Sequence, residues 1–131
     1  MPPAPVTAAG PDSPEAVLDR FAANFATLDA EAQALLFHER AAFFGSSQSG
    51  LLRGPAGARH YFGTAWAQAA PGIMTCEIGS LQQPSADVAL VAAVCRLVRP
   101  AKTTTLRLSG ALTRDNTGWR FAELHVSAEP R

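Results

Sequence analysis

Apolar and polar residues follow a helical period in the first half of this chain and a strand period in the second half. Apolar positions recur at i, i+3, i+4 and i+7 over residues 17–28 and 58–69, which predicts two amphipathic helices. Ser13 and Asp29 are candidate N-caps, one for the first of these helices and one for a short helix that follows it. From residue 73 onwards, turns rich in Pro, Asp, Asn and Gly divide the chain into four predicted strands, roughly 73–83, 87–98, 102–114 and 118–128.

Two short strands are predicted between the second and third helices. One covers Ala41–Phe44, and after a turn rich in Ser and Gly the chain returns over residues 51–53. The second helix is expected to turn Ala32, Leu35 and Leu36 inward. The sequence therefore predicts an α+β fold of order ααββαββββ. In this fold the three helices pack on a strongly curled, mixed but mostly antiparallel sheet that forms a cone with a mouth.

The predicted strand from Val88 to Val98 is apolar on both faces. A strand of this kind is covered on both sides, and the helices can cover only the inner one. We therefore expect a homodimer that forms through the outer sheet face. The following strand alternates, with Leu106, Leu108 and Leu112 on one face and polar residues on the other.

Length and charge restrict the remaining possibilities. The 131 residues fit one domain, expected over residues 13–128, after a Pro- and Ala-rich tail over 1–12 that we expect to be disordered. Eleven basic residues balance eleven acidic ones, which argues against nucleic acid and anionic membranes as partners. The start does not resemble a signal peptide, and no apolar stretch approaches a membrane span of about 20 residues. The predicted compartment is the cytoplasm.

Three short motifs resemble a known superfamily. They are Phe43-Phe44-Gly45 before the first hairpin, Leu52-Arg53-Gly54-Pro55 at the start of the third helix, and Gly118-Trp119-Arg120-Phe121 at the start of the last strand. With the element order, they resemble the SnoaL-like, nuclear transport factor 2-like superfamily, which has a cystatin-like α+β cone. The resemblance covers about residues 13–128 and implies a ligand pocket.

The last strand is most similar to the branch related to the calcium/calmodulin-dependent kinase association domain. That branch reads roughly Trp-x-x-x-His-x-His-x-Ser there, and this chain has Glu123 in place of the first histidine and His125 as the second. The branch also carries an arginine that lines an anion pocket, and Val126 occupies the matching position. The resemblance therefore implies the fold and a pocket, but neither that anion site nor a reaction.

Glu123 and His125 are the candidate catalytic residues. They lie two apart on one strand, so both side chains emerge on one face, together with Phe121 and Ser127. A carboxylate beside an imidazole fixes its tautomer and raises its basicity, as in a general-base dyad. The alternative is that this face is a dimer interface in which the two side chains satisfy each other.

Six residues are candidate ligand-binding residues: Phe25, Phe44, Tyr61, Trp66, Arg96 and Arg107. The aromatic ones are either core or pocket lining, where phenol and indole donors can orient a ligand. An arginine in mid-strand needs an anionic partner or solvent. For Arg107 we favour an internal pair with a glutamate, whereas Arg96 is open between such a pair and an enclosed ligand region.

Cys76 and Cys95 fall opposite each other if residues 85–86 form a two-residue hairpin loop. For a cytoplasmic protein we interpret them as two buried thiols. No phosphate loop, Ser-His-Asp order or metal motif occurs in the sequence, so no cofactor is predicted.

Three functions remain, in this order. The first is a small-molecule-binding domain with an apolar cone pocket, and the second is a general acid–base enzyme that uses the same pocket. The third is an assembly module whose pocket is closed. The sequence does not specify a ligand.

Overall fold

The computed structural model describes residues 10–129 and has the element order that the sequence pattern predicts. The helices within this range are α1 Pro14–Thr27, α2 Ala30–Ala34 and α3 Gly54–Trp66. The strands are β1 Phe37–Phe44, β2 Leu52–Arg53, β3 Ile73–Ser85, β4 Val88–Arg99, β5 Lys102–Asp115 and β6 Gly118–Ala128. The largest differences from prediction are that β1 starts four residues earlier than expected and that α3 ends at Trp66.

Both predicted N-caps are confirmed. The Ser13 hydroxyl accepts a hydrogen bond from the backbone N–H of Ala16 at 3.1 Å, and the Asp29 carboxylate accepts one from Ala32 at 3.0 Å. These bonds satisfy backbone donors that have no partner inside the first turn of a helix. Leu28, in the left-handed conformation with φ 53°, ends α1 and brings the chain directly to the second cap.

The burial of α2 differs from prediction at one residue. Leu35 is 49% exposed, whereas Gln33 is completely buried. The Gln33 amide donates to the carbonyl of Phe21 at 3.3 Å and accepts from the amide of Asn24 at 2.7 Å. Hydrogen bonding to α1 therefore lets a polar side chain occupy the inward position that we expected Leu35 to fill.

The six strands form one mixed sheet in the order β2-β1-β6-β5-β4-β3. β1 is parallel to β6, and every other neighbouring pair is antiparallel. The helices pack on one face, which we call the inner face. Its buried strand residues include Ala89, Val91, Ala93, Cys95, Leu97, Leu106, Leu108, Leu112, Phe121, Leu124 and Val126. The predicted α+β fold is confirmed.

A β-bulge in β6 changes which side chains share a face. Leu112 pairs with Phe121 and Ala111 pairs with Glu123, so Ala122 is the extra residue. Phe121 is therefore buried on the inner face, while Glu123 points outward. The expectation that Phe121 lies on the same face as Glu123 was wrong, because a strict two-residue alternation cannot reveal a bulge.

The segment just before α1 packs against the start of β6. Pro11 is buried, and its carbonyl accepts a hydrogen bond from the backbone N–H of Trp119 at 2.8 Å. Gly118 has φ 117° and lies so close to Gly10 that a Cβ atom would overlap its backbone. Of the tail expected over residues 1–12, residues 1–9 lie outside the described part. Residues 10 and 11 pack against the start of β6.

A polar cluster holds the turn between β5 and β6. The hydroxyl of Thr117, and then its backbone N–H, donate to the carboxylate of Asp115 and hold its pKa below the usual 3.8. Arg120 and His38, each 3.8 Å from this carboxylate, lower the pKa further. His38 is part of β1 and faces this turn.

Cys76 and Cys95 form a disulfide bond between β3 and β4. They are directly opposite each other, as predicted. The turn itself differs from the predicted one, because it pairs Ser85 with Val88, and two register shifts along β3 bring Cys76 opposite Cys95. The interpretation as two thiols was wrong, because directly opposed cysteines with a Cα–Cα distance of 4.0 Å are close enough to be bridged. Disulfides persist mainly in oxidising compartments. The two cysteines therefore do not support the predicted cytoplasmic location.

Candidate functional site

A cavity of about 410 Å³ lies between the helices and the inner face of the sheet. Its deep part is apolar and buried. The side chains there come from two helices and four strands: Phe21, Phe25, Phe43, Tyr61, Phe62, Trp66, Leu97, Leu106, Leu124 and Val126. The volume is in the range of natural small-molecule sites, which are also mostly apolar and aromatic.

Aromatic contacts fix the helical wall of the cavity. The rings of Phe25 and Trp66 meet edge to face with centroids 5.0 Å apart, and Phe62 lies 4.9 Å from both Trp66 and Tyr61. Such contacts contribute about 0.5–1.5 kcal/mol each beyond the area they bury. The wall is therefore preorganised, and a ligand does not have to order it.

Tyr61 connects this wall to the loop after β1. Its hydroxyl oxygen accepts a hydrogen bond from the backbone N–H of Ser47 at 3.1 Å and lies 2.9 Å from the Ser47 hydroxyl. The ring passes so close to Gly45 that a Cβ atom there would overlap its carbon atoms. Only glycine allows this approach, which holds the phenol at the edge of the cavity.

The rim of the cavity is polar and accessible. Ser46, Ser47 and Ala65 are exposed on one side, and Arg99 and Lys102 lie on the other, where β4 turns into β5. The deep part of the cavity therefore differs in chemistry from its rim. Buried aromatic rings line the deep part, whereas hydroxyl and cationic groups lie at the opening.

The titratable groups of the lining are a phenol and two cations. Tyr61, Arg99 and Lys102 contribute to it, but no Asp, Glu or His does among the described residues. General acid–base catalysis near neutral pH relies mainly on carboxylates and imidazoles. The lining therefore offers apolar contacts, a phenol and two cations at one edge.

Phe25, Tyr61 and Trp66, which were predicted as ligand-binding residues, line the inner cavity. Phe44 borders it, but its ring is 41% exposed and lies 5.6 Å from the His125 ring on the outer face. The sequence therefore predicted part of the cavity wall, through the helical stripe of α3 and the motif at the end of β1.

The other four predicted site residues lie on the outer face. Arg96 is exposed there and does not border the enclosed inner cavity. Arg107, Glu123 and His125 are exposed as well, with the sheet between them and the inner cavity. Arg96 and Arg107 form no ion pair with a carboxylate of residues 10–129, so the internal pair expected for Arg107 was wrong.

Glu123 and His125, the candidate dyad, lie outside the inner cavity. They point to the same face, as predicted, but the structure records no hydrogen bond between them within its described range. The imidazole packs against Phe44 instead. It lines a shallow outer groove of about 420 Å³ with Arg107, Ser109 and Ser127. In this arrangement the pair cannot act on a molecule in the inner cavity.

Sequence reasoning missed the two cations of the rim. Arg99 lies two residues after Leu97, and Lys102 lies four residues before Leu106, so both share the inward parity of buried neighbours. This parity could have identified them once the leucines were placed on the inner face. Arg96 has the opposite parity and was chosen in their place.

Residues 10–129 show neither a metal-binding cluster nor a membrane-spanning helix. No group of three or more His, Cys, Asp or Glu side chains is arranged to hold a metal ion. Of the helices described there, none is long and apolar enough to cross a membrane.

Comparison with known families agrees with this architecture. The model of the SnoaL-like domain matches residues 15–130, which is nearly the whole chain. The chain belongs to the SnoaL-like family. A comparison with curated proteins found no match.

Solved structures show the same SnoaL-like fold. An association-domain-like protein of calcium/calmodulin-dependent protein kinase type II from Thiobacillus denitrificans superimposes with a TM-score of 0.79. It is 18% identical, and the match covers 93% of this chain and 98% of that one. A ketosteroid isomerase-like protein from Erwinia carotovora has a TM-score of 0.76, 18% identity and coverages of 89% and 94%.

A third similar structure, from Nostoc punctiforme, is a domain of unknown function with a cystatin-like fold. Its TM-score is 0.77 at 17% identity, and the match covers 88% of this chain and 75% of that one. Identities this low show that the SnoaL-like domain shares their fold, and they leave its ligand to be argued from its own cavity.

Proposed function

We propose that this SnoaL-like domain binds a small apolar molecule in its inner cavity and does not transform it by acid–base chemistry. The observation that carries the proposal is the aromatic cavity of about 410 Å³ between helices and sheet. An apolar cavity of this size with a few polar groups at its edge is the usual form of a ligand site.

The lining distinguishes this function from its alternatives. An acid–base enzyme would need a base beside the ligand, and the carboxylate and imidazole predicted for that role are on the other side of the sheet. A closed assembly module would have a filled mouth, whereas Ser46, Ser47 and Ala65 at the rim are exposed. Binding is the function that requires no further group.

The test is a neutral dye, N-phenyl-1-naphthylamine, whose fluorescence rises in apolar surroundings. Ala65→Trp places an indole at the exposed rim, and Ala56→Trp places the same group on the same helix away from the cavity. We expect the wild type and Ala56→Trp to bind the dye with equal affinity and Ala65→Trp to lose it, with all three melting alike. Absence of binding to the wild type, or equal binding by Ala65→Trp, would contradict the proposal.

The proposal includes a homodimer through the outer face. Four large aliphatic side chains are exposed there: Ile73 by 65%, Val94 by 52%, Leu90 by 44% and Val98 by 42%. Ile73 and Val98 are direct cross-strand partners, so the apolar surface runs over both β3 and β4. A patch of this kind marks an interaction surface, and a two-fold dimer covers the same patch on both copies.

Sedimentation velocity tests the dimer. Val94→Arg places a cation beside the exposed Arg107, its cross-strand partner, and Ala23→Arg adds the same charge on an exposed position of α1. Two chains of 13.8 kDa should sediment together in the wild type and in Ala23→Arg, and separately in Val94→Arg. A wild-type monomer at micromolar concentration would contradict the dimer.

A further inference from the structure

Arg99 and Lys102 are direct cross-strand partners at the last pair of the β4–β5 hairpin. Directly opposed residues of an antiparallel pair have Cβ atoms about 4.5–5.5 Å apart, and like charges in this arrangement are destabilising. Both residues border the inner cavity. The fold therefore holds two positive charges side by side at the opening of an apolar site.

The described part of the chain does not neutralise this pair. Neither cation forms an ion pair with any carboxylate of residues 10–129, and this includes Glu129, one residue past the lining. The one hydrogen bond recorded for Arg99 runs from Nε to the carbonyl of Ala70 at 3.0 Å. That bond orients the guanidinium and leaves its terminal nitrogens without a recorded partner.

The absence of acidic groups from the lining strengthens the effect of the two charges. A cavity that carries charge of one sign between low-dielectric walls raises the local concentration of oppositely charged ligands. Arginine also presents its N–H groups in a fork that fits a carboxylate. Ser46 and Ser47, on the other side of the opening, offer hydroxyl groups to the same region.

From this pair of cations we infer the class of the ligand. It is an amphipathic anion: a ring-containing apolar body in the aromatic part of the cavity and one anionic group, such as a carboxylate, between Arg99 and Lys102. The inference rests on the proposed function, because it names the class of molecule that the inner cavity binds.

A pair of matched competitors tests the inference. Naphthalene-2-carboxylate and naphthalene-2-carboxamide have the same ring and nearly the same size and differ in charge. Each is used to displace N-phenyl-1-naphthylamine from the wild type at low and high salt. We expect the carboxylate to compete about tenfold better, as two partly exposed charge contacts would give. Salt should reduce this advantage, because exposed charges are screened.

Lys102→Met tests whether this preference for the carboxylate comes from the rim. Arg20→Met, at an exposed position of α1, is the control for the loss of one positive charge. Lys102→Met should weaken the carboxylate about two- to fivefold relative to the carboxamide, the range expected for one exposed charge contact. Arg20→Met should change neither the affinities of the two competitors nor that of the dye. Arg99→Met is the second variant, and its melting temperature shows whether loss of the bond to Ala70 affects folding.

The outcomes separate the two proposals. If the dye binds but the carboxylate and the carboxamide compete equally, or if Lys102→Met weakens both equally, the anionic class is wrong and the binding function remains. If neither the dye nor a competitor binds, the binding function fails and this inference fails with it.

Discussion

Breaking the disulfide between Cys76 and Cys95 should destabilise the domain by an amount that follows from the chain itself. The bond closes a loop with a sequence separation of 19 residues. The chain-entropy relation for a cross-link of that span gives about 3 kcal/mol at 25 °C. Small domains have a total free energy of unfolding of about 5–15 kcal/mol, so the loss is a large fraction of it.

The assay is thermal unfolding followed by circular dichroism. For a domain of this length a change of 1 kcal/mol moves the melting temperature by about 4 °C, so the reduced protein should melt about 12 °C lower. Because Cys95 is buried, the protein is reduced while unfolded in guanidinium and refolded under reductant. The double variant Cys76→Ala/Cys95→Ala should melt near the reduced wild type and should not respond to reductant.

One result would refute this reasoning directly. If the purified wild type, unfolded without reductant, titrates as two thiols and melts at the same temperature with and without reductant, the cross-link does not exist. If the thiols are absent but the melting temperature still does not change, the bond exists and the loop-entropy argument is wrong.

Three further predictions concern single residues. Gly45→Ala should displace the Tyr61 ring, and this should lower the melting temperature and weaken dye binding. Gly50→Ala, in the same loop with open space around it, should change neither the melting temperature nor dye binding. Gln33→Leu should cost about 1–3 kcal/mol in urea unfolding, because it removes both hydrogen bonds of a completely buried amide, the one to the Phe21 carbonyl and the one from the Asn24 side chain. The pKa of Asp115 is lowered by folding, so its stabilisation is complete above the unfolded value and is lost as pH falls through the folded one. Between about pH 5 and pH 3, the melting temperature of Asp115→Asn should therefore decrease by less than that of the wild type. An equal decrease in both proteins would contradict this.

The fold could be predicted because local signals agree with it. The caps at Ser13 and Asp29, the helical stripe that contains Tyr61 and Trp66, and four strands separated by turns each depend on nearby residues. These signals depend on residue spacing and on capping residues, and both can be read from the order of the amino acids. The cysteine register was predicted for the same reason, whereas the oxidation state depends on the redox environment and cannot be determined from spacing.

The site was harder to predict because it depends on which face of each strand is concave. The alternation in β4 separates Arg96 from Arg99, but it does not say which of them faces the helices. In β6 the bulge at Ala122 reverses the alternation, so Glu123 does not follow Phe121 inward. Only the packed sheet shows this, since a bulge depends on long-range pairing and curvature.

The two faces of β4 allow the proposed functions to be tested independently. Leu97 and Arg99 border the inner cavity, and Val94 and Val98 are exposed on the other side of the same strand. Side chains on opposite faces of a sheet share few partners, and effects at such sites are usually additive. Val94→Arg should therefore produce a monomer that still binds the dye, and Ala65→Trp should produce a dimer that does not. Loss of dye binding in a correctly folded Val94→Arg monomer would show that ligand binding requires the dimer, which would place the binding unit in the assembled pair of chains.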